Sequence, residues 1–228
     1  MSATSARGLF RAMGKTAKPV LDLIDGEIAE TEARAREKDD FYPTPPEPTR
    51  AFLHAEQRRL RDFATIWEPA AGDGAMAREM ETVGLNVFRS DLVDRGCDAV
   101  IRDFYDFTPH DRLCRAIVTN PPFQECNWRD GRARWIYHAL EVLEIEYMAL
   151  LLPWSWPGAA GMATLWEKYP PACAYLMRWK IDFTGQGSPP TNHGWFVWDK
   201  AWVGETAIRM LDRKDARQSE LFGGGHDE

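Results

Sequence analysis

The chain has 228 residues, of which 44% are hydrophobic and 12% aromatic, a composition typical of a folded globular protein with one substantial core. Its formal net charge of −7 excludes a surface coated in positive potential but permits a local basic groove. The sequence has no secretory pattern and no apolar run of about 18 residues, and its four cysteines and five histidines lack the spacing of a disulfide framework or a metal site.

Residues 1–38 predict an N-terminal arm, partly helical or disordered. The first part of this arm is basic, and the second part is acidic and rich in alanine. Prolines within residues 43–48 should forbid a helix until about Pro48, because proline lacks an amide hydrogen. We therefore expect the first helix of the folded domain over residues 49–60.

Strand and helix patterns then alternate along the chain. Strands are predicted at 64–67, 85–89, 98–102, 115–119 and 147–152, and helices at 75–83, 134–143 and 158–168. Two late strands, at 172–182 and 195–201, have no clear helix between them. The pattern predicts a mostly parallel seven-stranded α/β sheet with helices on both faces and an antiparallel edge strand. This domain is expected over 39–205, with a polar, disordered tail over 206–228.

A glycine-bearing turn, Trp-Glu-Pro-Ala-Ala-Gly-Asp-Gly, separates the first strand from the helix at 75–83. Open α/β folds bind nucleotides at such turns, yet this one lacks both the three-glycine dinucleotide fingerprint and the lysine of a phosphate loop. Its two acids would repel phosphates and suit a cationic or amine-bearing ligand. The candidate ligand-binding residues of the turn are Glu68, Pro69, Ala70, Gly72, Asp73 and Gly74.

Acidic residues also end the next two strands. Asp91, followed by Leu92, ends the second strand, where a carboxylate typically accepts hydrogen bonds from ribose hydroxyls. Asp103 and Phe104 follow the third strand and offer an acceptor and a ring to a purine. A glycine turn, a ribose acid and a purine site without a phosphate clamp indicate S-adenosyl-L-methionine as the cofactor.

The fourth strand ends in Asn-Pro-Pro-Phe, residues 120–123. Pro121 and Pro122 have fixed φ angles and no amide hydrogens, so this turn presents its carbonyl groups rigidly. Asn120 adds a side-chain acceptor and two donors, and Phe123 adds a ring that can stack on a planar group. The turn therefore predicts a clamp for an exocyclic amine, suited to direct methyl transfer without a covalent nucleophile.

In this order the motifs resemble those of DNA adenine-N6 methyltransferases, of the compact, phage-like kind that begins with Asp-Phe-Tyr-Pro-Thr-Pro. The resemblance covers about residues 39–202. It implies a class I, Rossmann-like methyltransferase fold, a target adenine flipped out of DNA, and a nucleoid-associated cytoplasmic location. It assigns catalysis to Asn120–Phe123, adds Phe41, Tyr42 and Thr44 to the cofactor site, and suggests that Trp195 or Phe196 covers the second face of the base.

This family usually adds a separate target-recognition domain, which the residues after 201 are not expected to form. Recognition is therefore expected from the basic arm and from two short insertions, 183–192 and 125–134, the latter carrying Arg129, Arg132 and Arg134. The tetrapeptide also suits an RNA adenine or a protein glutamine amide. In the tail, Gln218, Leu221 and Phe222 resemble a peptide that docks on the bacterial DNA sliding clamp, so a non-catalytic clamp-binding adaptor is the alternative from a different class.

Overall fold

The computed structural model describes residues 43–111, 114–127, 132–159, 161–183, 185, 187 and 191–221, with no side-chain description for 218–221. Several predictions fall outside these residues. They are the arm over 1–38, the cofactor contacts of Phe41 and Tyr42, the DNA contact of Arg129, and the clamp-binding side chains of Gln218, Leu221 and Phe222.

Eight strands form one sheet in the described part of the chain, in the order β3-β2-β1-β4-β5-β7-β6-β8. They are β1 (Ile66–Glu68), β2 (Val87–Asp91), β3 (Val100–Ile101), β4 (Ala116–Thr119), β5 (Tyr147–Pro153), β6 (Cys173–Met177), β7 (His193–Asp199) and β8 (Ala207–Leu211). The predicted mostly parallel sheet is confirmed, since only β7 runs antiparallel to its neighbours β5 and β6. Two details refine the prediction: there is an eighth strand, and β6 and β8 lie beyond the antiparallel strand.

Helices cover both faces of the sheet. They are α1 (Pro46–Leu60), α2 (Ala75–Thr82), α3 (Phe123–Cys126), α4 (Arg134–Tyr137), which continues as a π-helix over His138–Val142, and α5 (Ala163–Lys168). Short 3₁₀-helices lie at Phe104–Asp106, Pro109–Asp111, Trp156–Gly158 and Arg213–Leu221. Among the described helices none is long and apolar enough to cross a membrane.

The central strand β5 shows why the sheet needs cover on both faces. Its side chains alternate between two buried clusters, with Tyr147, Ala149 and Leu151 in one and Met148, Leu150 and Leu152 in the other. Successive side chains of a strand point to opposite faces, so a continuous apolar strand must be packed from both sides. Because both faces of the strand are buried, polar side chains can cluster only at its ends.

Helix α1 begins earlier than predicted, at Pro46 rather than near residue 49. The prolines do not prevent this start, because the first-turn amide groups of a helix have no intrahelical partner to lose. The prediction that prolines forbid a helix until about Pro48 is therefore wrong.

The folded domain also extends past the predicted boundary at residue 205. Strand β8 pairs in parallel with β6, and its last residue, Leu211, is buried. The following 3₁₀-helix packs against α1, with Ala216 buried and Arg213 bonded to Glu47 at 2.8 Å. Residues 207–217 thus belong to the fold rather than to a disordered tail. Their pairing and burial, which the local polarity does not reveal, decide this.

Candidate functional site

A cavity of about 440 Å³ lies at the carboxyl ends of β1, β2 and β4. Ligand sites typically have volumes of roughly 300–1,000 Å³, and open α/β sheets bind ligands outside the carboxyl ends of their strands. Most of the predicted site residues line this cavity: Thr44, Glu68, Pro69, Ala70, Gly72, Asp73, Asp91, Leu92, Asp103, Phe104, Asn120, Pro121, Pro122, Phe123 and Arg134. The parallel sheet brings together turns that are far apart in sequence.

The glycine turn is shaped by two residues with positive φ. Gly72 has φ 56° and Gly74 has φ 78°, a conformation that glycine adopts without steric cost. Gly74 also passes close to Cys97, whose Cβ would lie 2.9 Å from a Cβ at position 74. Gly74 is not among the described residues that line the cavity. It precedes α2 and lets the chain turn tightly between β1 and that helix.

Asp91 holds the glycine turn against the end of β2. Its Oδ2 accepts a hydrogen bond from the Gly72 amide at 2.7 Å, and its Oδ1 accepts from the Val93 amide and the Arg95 guanidinium, both at 2.9 Å. An ionised carboxylate offers about four lone-pair sites, so these three bonds leave room for one more donor. Asp91 therefore shapes the cavity as well as facing it.

Glu68, the last residue of β1, is almost completely buried beside the cavity, with 2% of its surface exposed. Burial raises the pKa of its carboxyl well above the usual value, and the nearby Asp73 and Asp91 raise it further, against a backbone hydrogen bond and Arg89, which lower it. Its Oε2 atom has no hydrogen-bond partner among the described residues. A buried polar atom without a partner is costly. Oε2 is therefore available to a ligand, and a cation or a hydrogen-bond donor placed there would favour the ionised form of the Glu68 carboxyl.

Asn120 follows β4 and is held in a fixed orientation. Its Nδ2 donates a hydrogen bond to the Thr44 hydroxyl at 3.1 Å, which leaves Oδ1 as the free end of the amide. That Oδ1 atom is buried and has no partner within the described part of the chain. The side chain thus presents an oriented acceptor to whatever occupies the cavity.

Aromatic rings form two sides of the site. On one side Phe104 is buried and stacks on Trp135, with ring centroids 4.2 Å apart and planes 13° apart. On the other side Phe123 and Phe183 line the cavity, and the ring of His193 lies 6.1 Å from Phe123 and 5.1 Å from Phe183. The cavity therefore offers two aromatic surfaces, one at Phe104 and one at Phe123 and Phe183.

Two predicted substrate contacts need correction. Trp195 and Phe196 have 0% and 1% exposure, and neither is among the described residues that line the cavity. Trp195 stacks on Phe52 of α1, with ring centroids 4.3 Å apart, and Phe196 packs on Trp154 and Trp156. Arg132 is exposed, and its contact with DNA stays a prediction. Strand alternation sends the two β7 rings into the two cores rather than toward the strand end.

Several lining residues had been given no role of their own in the site: Ala75, Met76, Val93, Arg95, Tyr105, Glu125, Trp135 and Phe183. Most of them sit beside a predicted residue, as Tyr105 sits beside Phe104 and Glu125 beside the tetrapeptide. Their closeness in sequence to predicted site residues was the signal that could have identified them. Phe183 was assigned to an insertion without a role of its own, because nothing local distinguishes it from other aromatic residues.

No family model matches the chain, and no curated protein matches it significantly. Several solved structures resemble it, three of which are named below. One is a Listeria monocytogenes protein provisionally assigned as a class I S-adenosylmethionine-dependent methyltransferase (TM-score 0.48, 12% identity, covering 74% of this chain and 65% of that one). Another is a cryoEM structure of a DrdV–DNA complex (TM-score 0.49, 12% identity, covering 84% of this chain and 30% of that one). The third is the S. pombe Dnmt2 methyltransferase (TM-score 0.41, 14% identity, covering 72% of this chain and 57% of that one).

This chain spans less than two thirds of the length of each of these three proteins. At such identities the likeness concerns the fold alone. The activities and partners named for those proteins therefore carry no argument for this one.

Proposed function

We propose that this protein transfers a methyl group from S-adenosyl-L-methionine to the exocyclic N6 amine of adenine in DNA. The observation that carries the proposal is the Asn120 amide, whose Nδ2 is bonded to Thr44 and whose buried Oδ1 lacks a partner among the described residues. An oriented acceptor without a protein donor fits a ligand that brings its own N–H group. An exocyclic amine brings two.

The residues of the cavity fit the proposed cofactor in their chemistry. S-adenosylmethionine carries positive charge on its sulfonium and amino groups, and four carboxyl side chains line the cavity on its glycine-turn side: Glu68, Asp73, Asp91 and Asp103. Two arginines are among the described residues that line the cavity. Arg95 is already bonded to Asp91, and Arg134 lies over the Tyr105 ring. This donor set favours a cationic ligand over a phosphate. The cofactor supplies an activated methyl group.

The tetrapeptide would orient the amine that receives this group. We expect Asn120 Oδ1 and the Pro121 carbonyl to accept the two amine hydrogens, which raises the electron density on nitrogen. Pro121 and Pro122 keep the turn rigid because their φ angles are fixed. Holding the reactants in line can supply roughly 7–11 kcal/mol of barrier lowering, so no covalent nucleophile is needed.

Phe123 and Phe183 are the rings best placed to hold the base. Both line the cavity and both contact the His193 ring. Flipping a base out of a duplex costs a few kcal/mol, and stacking on an aromatic side chain returns roughly 1–3 kcal/mol per base. We therefore assign to Phe183 the second stacking role that the sequence analysis gave to Trp195 or Phe196.

DNA is proposed as the substrate on the resemblance of the motifs, and an adenine of RNA or a glutamine amide of a protein has the same amine chemistry. The test offers labelled S-adenosylmethionine separately to unmethylated DNA, RNA and a protein extract. Each product is then digested to identify the modified unit. We expect label in N6-methyladenine from DNA. Label that appears only in glutamine or in RNA contradicts the substrate assignment.

A variant pair tests the role of the amide itself. Asn120→Ala removes the acceptor, and we expect transfer to fall by about 100-fold or more, as for loss of a single electrostatic contact in a transition state, with cofactor binding nearly unchanged. Asn86→Ala is the matched control, because Asn86 is an exposed asparagine that bonds the Ala64 carbonyl and is not among the described lining residues. An Asn120→Ala protein that transfers methyl groups at the rate of the control would refute the assigned role.

A further inference from the structure

Tyr105 contacts two later segments of the cavity wall. Its hydroxyl donates a hydrogen bond to Glu125 Oε2 at 2.6 Å, and the guanidinium carbon of Arg134 lies 3.8 Å from its ring centroid. All three side chains line the cavity. Burial, and then the Glu125 carboxylate, raise the pKa of Tyr105 well above its ordinary value. The hydroxyl therefore keeps its proton and remains a donor.

The backbone of Tyr105 is fixed to the side of the cavity that carries Asp103 and Phe104. The Tyr105 amide donates to Asp103 Oδ1 at 2.9 Å, which caps the 3₁₀-helix Phe104–Asp106. Phe104 in turn stacks on Trp135, the residue after Arg134. A ligand that changes the position of Asp103 or Phe104 must therefore act on Tyr105 as well.

Glu125, which accepts the hydrogen bond from the Tyr105 hydroxyl, lies in the one-turn helix α3 that also carries Phe123. A single turn is too short to be stable alone, so its orientation depends on side-chain anchors. One anchor is the Cys126 carbonyl, which accepts a hydrogen bond from Trp156 Nε1 at 2.9 Å. Another is the bond from Tyr105 to Glu125, which reaches α3 from the Asp103 side.

We propose that Tyr105 is a positioning residue that couples occupation of the Asp103–Phe104 side of the cavity to the orientation of α3 and its Phe123 ring. This inference rests on the proposed function, in which the cofactor occupies the Asp103–Phe104 side of the cavity and the target base stacks on Phe123. By linkage, a ligand on one side then changes the affinity for a ligand on the other by a reciprocal factor. The hydrogen bond from the Tyr105 hydroxyl to Glu125 transmits this coupling between the two sides.

The test measures the dissociation constant of duplex DNA with and without saturating S-adenosylhomocysteine, at one salt concentration because DNA affinity depends strongly on salt. The ratio of the two constants is the coupling factor. We expect wild type to show a factor of about five or more. Tyr105→Phe, which keeps the ring beneath Arg134 and removes the hydroxyl, should bring the factor close to one.

Three further variants separate coupling from general damage. Tyr169→Phe is the matched control, because the Tyr169 hydroxyl bonds Glu141 at 3.1 Å and this tyrosine is not among the described lining residues. It should keep the wild-type factor. Glu125→Gln keeps a side-chain oxygen for Tyr105 and should also keep most of the coupling factor. Glu125→Ala removes that oxygen and should bring the coupling factor close to one.

Two results would overturn the inference. One is a Tyr105→Phe protein with the coupling factor of Tyr169→Phe, and the other is a wild-type protein that binds S-adenosylhomocysteine and DNA with no coupling while still producing N6-methyladenine. The second result leaves the proposed function standing. A wild-type protein that binds no S-adenosylhomocysteine overturns both the inference and the proposed function.

Discussion

Gly194 is a position where a single methyl group should disturb the site edge of the sheet. It lies in β7, paired with Leu152 of β5 and Leu176 of β6. A Cβ at this position would lie 2.6 Å from Trp154 Cε3 and 2.7 Å from the Tyr175 carbonyl oxygen. The carbonyl belongs to strand β6 and the Trp154 ring is stacked on Phe196, so neither can move freely. Overpacking of this kind costs about 1–3 kcal/mol.

For a chain of this size, each kcal/mol shifts the melting temperature by about 2–4 °C. We therefore expect Gly194→Ala to lower it by about 2–12 °C. Gly158→Ala is the control, because a Cβ there meets no described atom within 4 Å, and its effect should stay within about 0.5 kcal/mol. Thermal and urea unfolding, followed by circular dichroism, measure both variants. Equal stability of the two would refute the packing argument.

Three other predictions concern the rings, the buried acid and the anchor of α1. Phe183→Ala should weaken DNA binding by roughly 1–3 kcal/mol of lost base stacking. Its ring is only partly buried against the core, so the variant should lose less folding stability than Trp195→Ala, for which we expect a loss of about 3–5 kcal/mol. DNA titration and urea unfolding of both variants compare them. Glu68 has a higher pKa folded than unfolded, so it binds its proton more tightly in the folded state, and stability falls as pH rises from the unfolded-state pKa through the folded-state pKa. Glu68→Gln should remove that fall, so urea midpoints of variant and wild type should converge at low pH and separate in favour of the variant as the pH rises; parallel pH profiles would contradict this. Asp199→Ala breaks the two 2.8 Å bonds that tie β7 to Arg59 of α1 and should cost about 1.5–3 kcal/mol in urea unfolding. A loss no larger than that of Asp106→Ala, at an exposed aspartate, would show that the pair contributes little.

Most of the fold was predictable because strand and helix periodicity is a local property of the sequence. The apolar run of β5 and the turns that follow β1 and β4 needed no knowledge of distant residues. The two failures have different causes. Helix α1 starts at Pro46 because first-turn prolines are tolerated, and β8 escaped prediction because its exposed Ile208 and Met210 do not show the partner strand that holds it.

In the candidate site, too, some residues were predictable from the sequence and others were not. Residues at the ends of parallel strands, such as Asp91 and Asn120, were expected to meet because the sheet edge brings such turns together. The rings facing the cavity were not predictable, since the choice of Phe183 over Trp195 depends on which side chains the cores of the sheet take up. The link from Tyr105 to Glu125 spans twenty residues of sequence separation and leaves no local pattern.

By itself, the sequence determined the order of the elements, the chemistry of the turns and the class of ligand that the turns suit. These follow from residue type and short-range spacing, which are written in the chain. Only the tertiary structure decided that Thr44 binds one end of the Asn120 amide and leaves the other end buried without a described partner. Whether a polar atom is satisfied depends on residues brought together by folding, and that unsatisfied acceptor is the feature on which the proposed amine methylation depends.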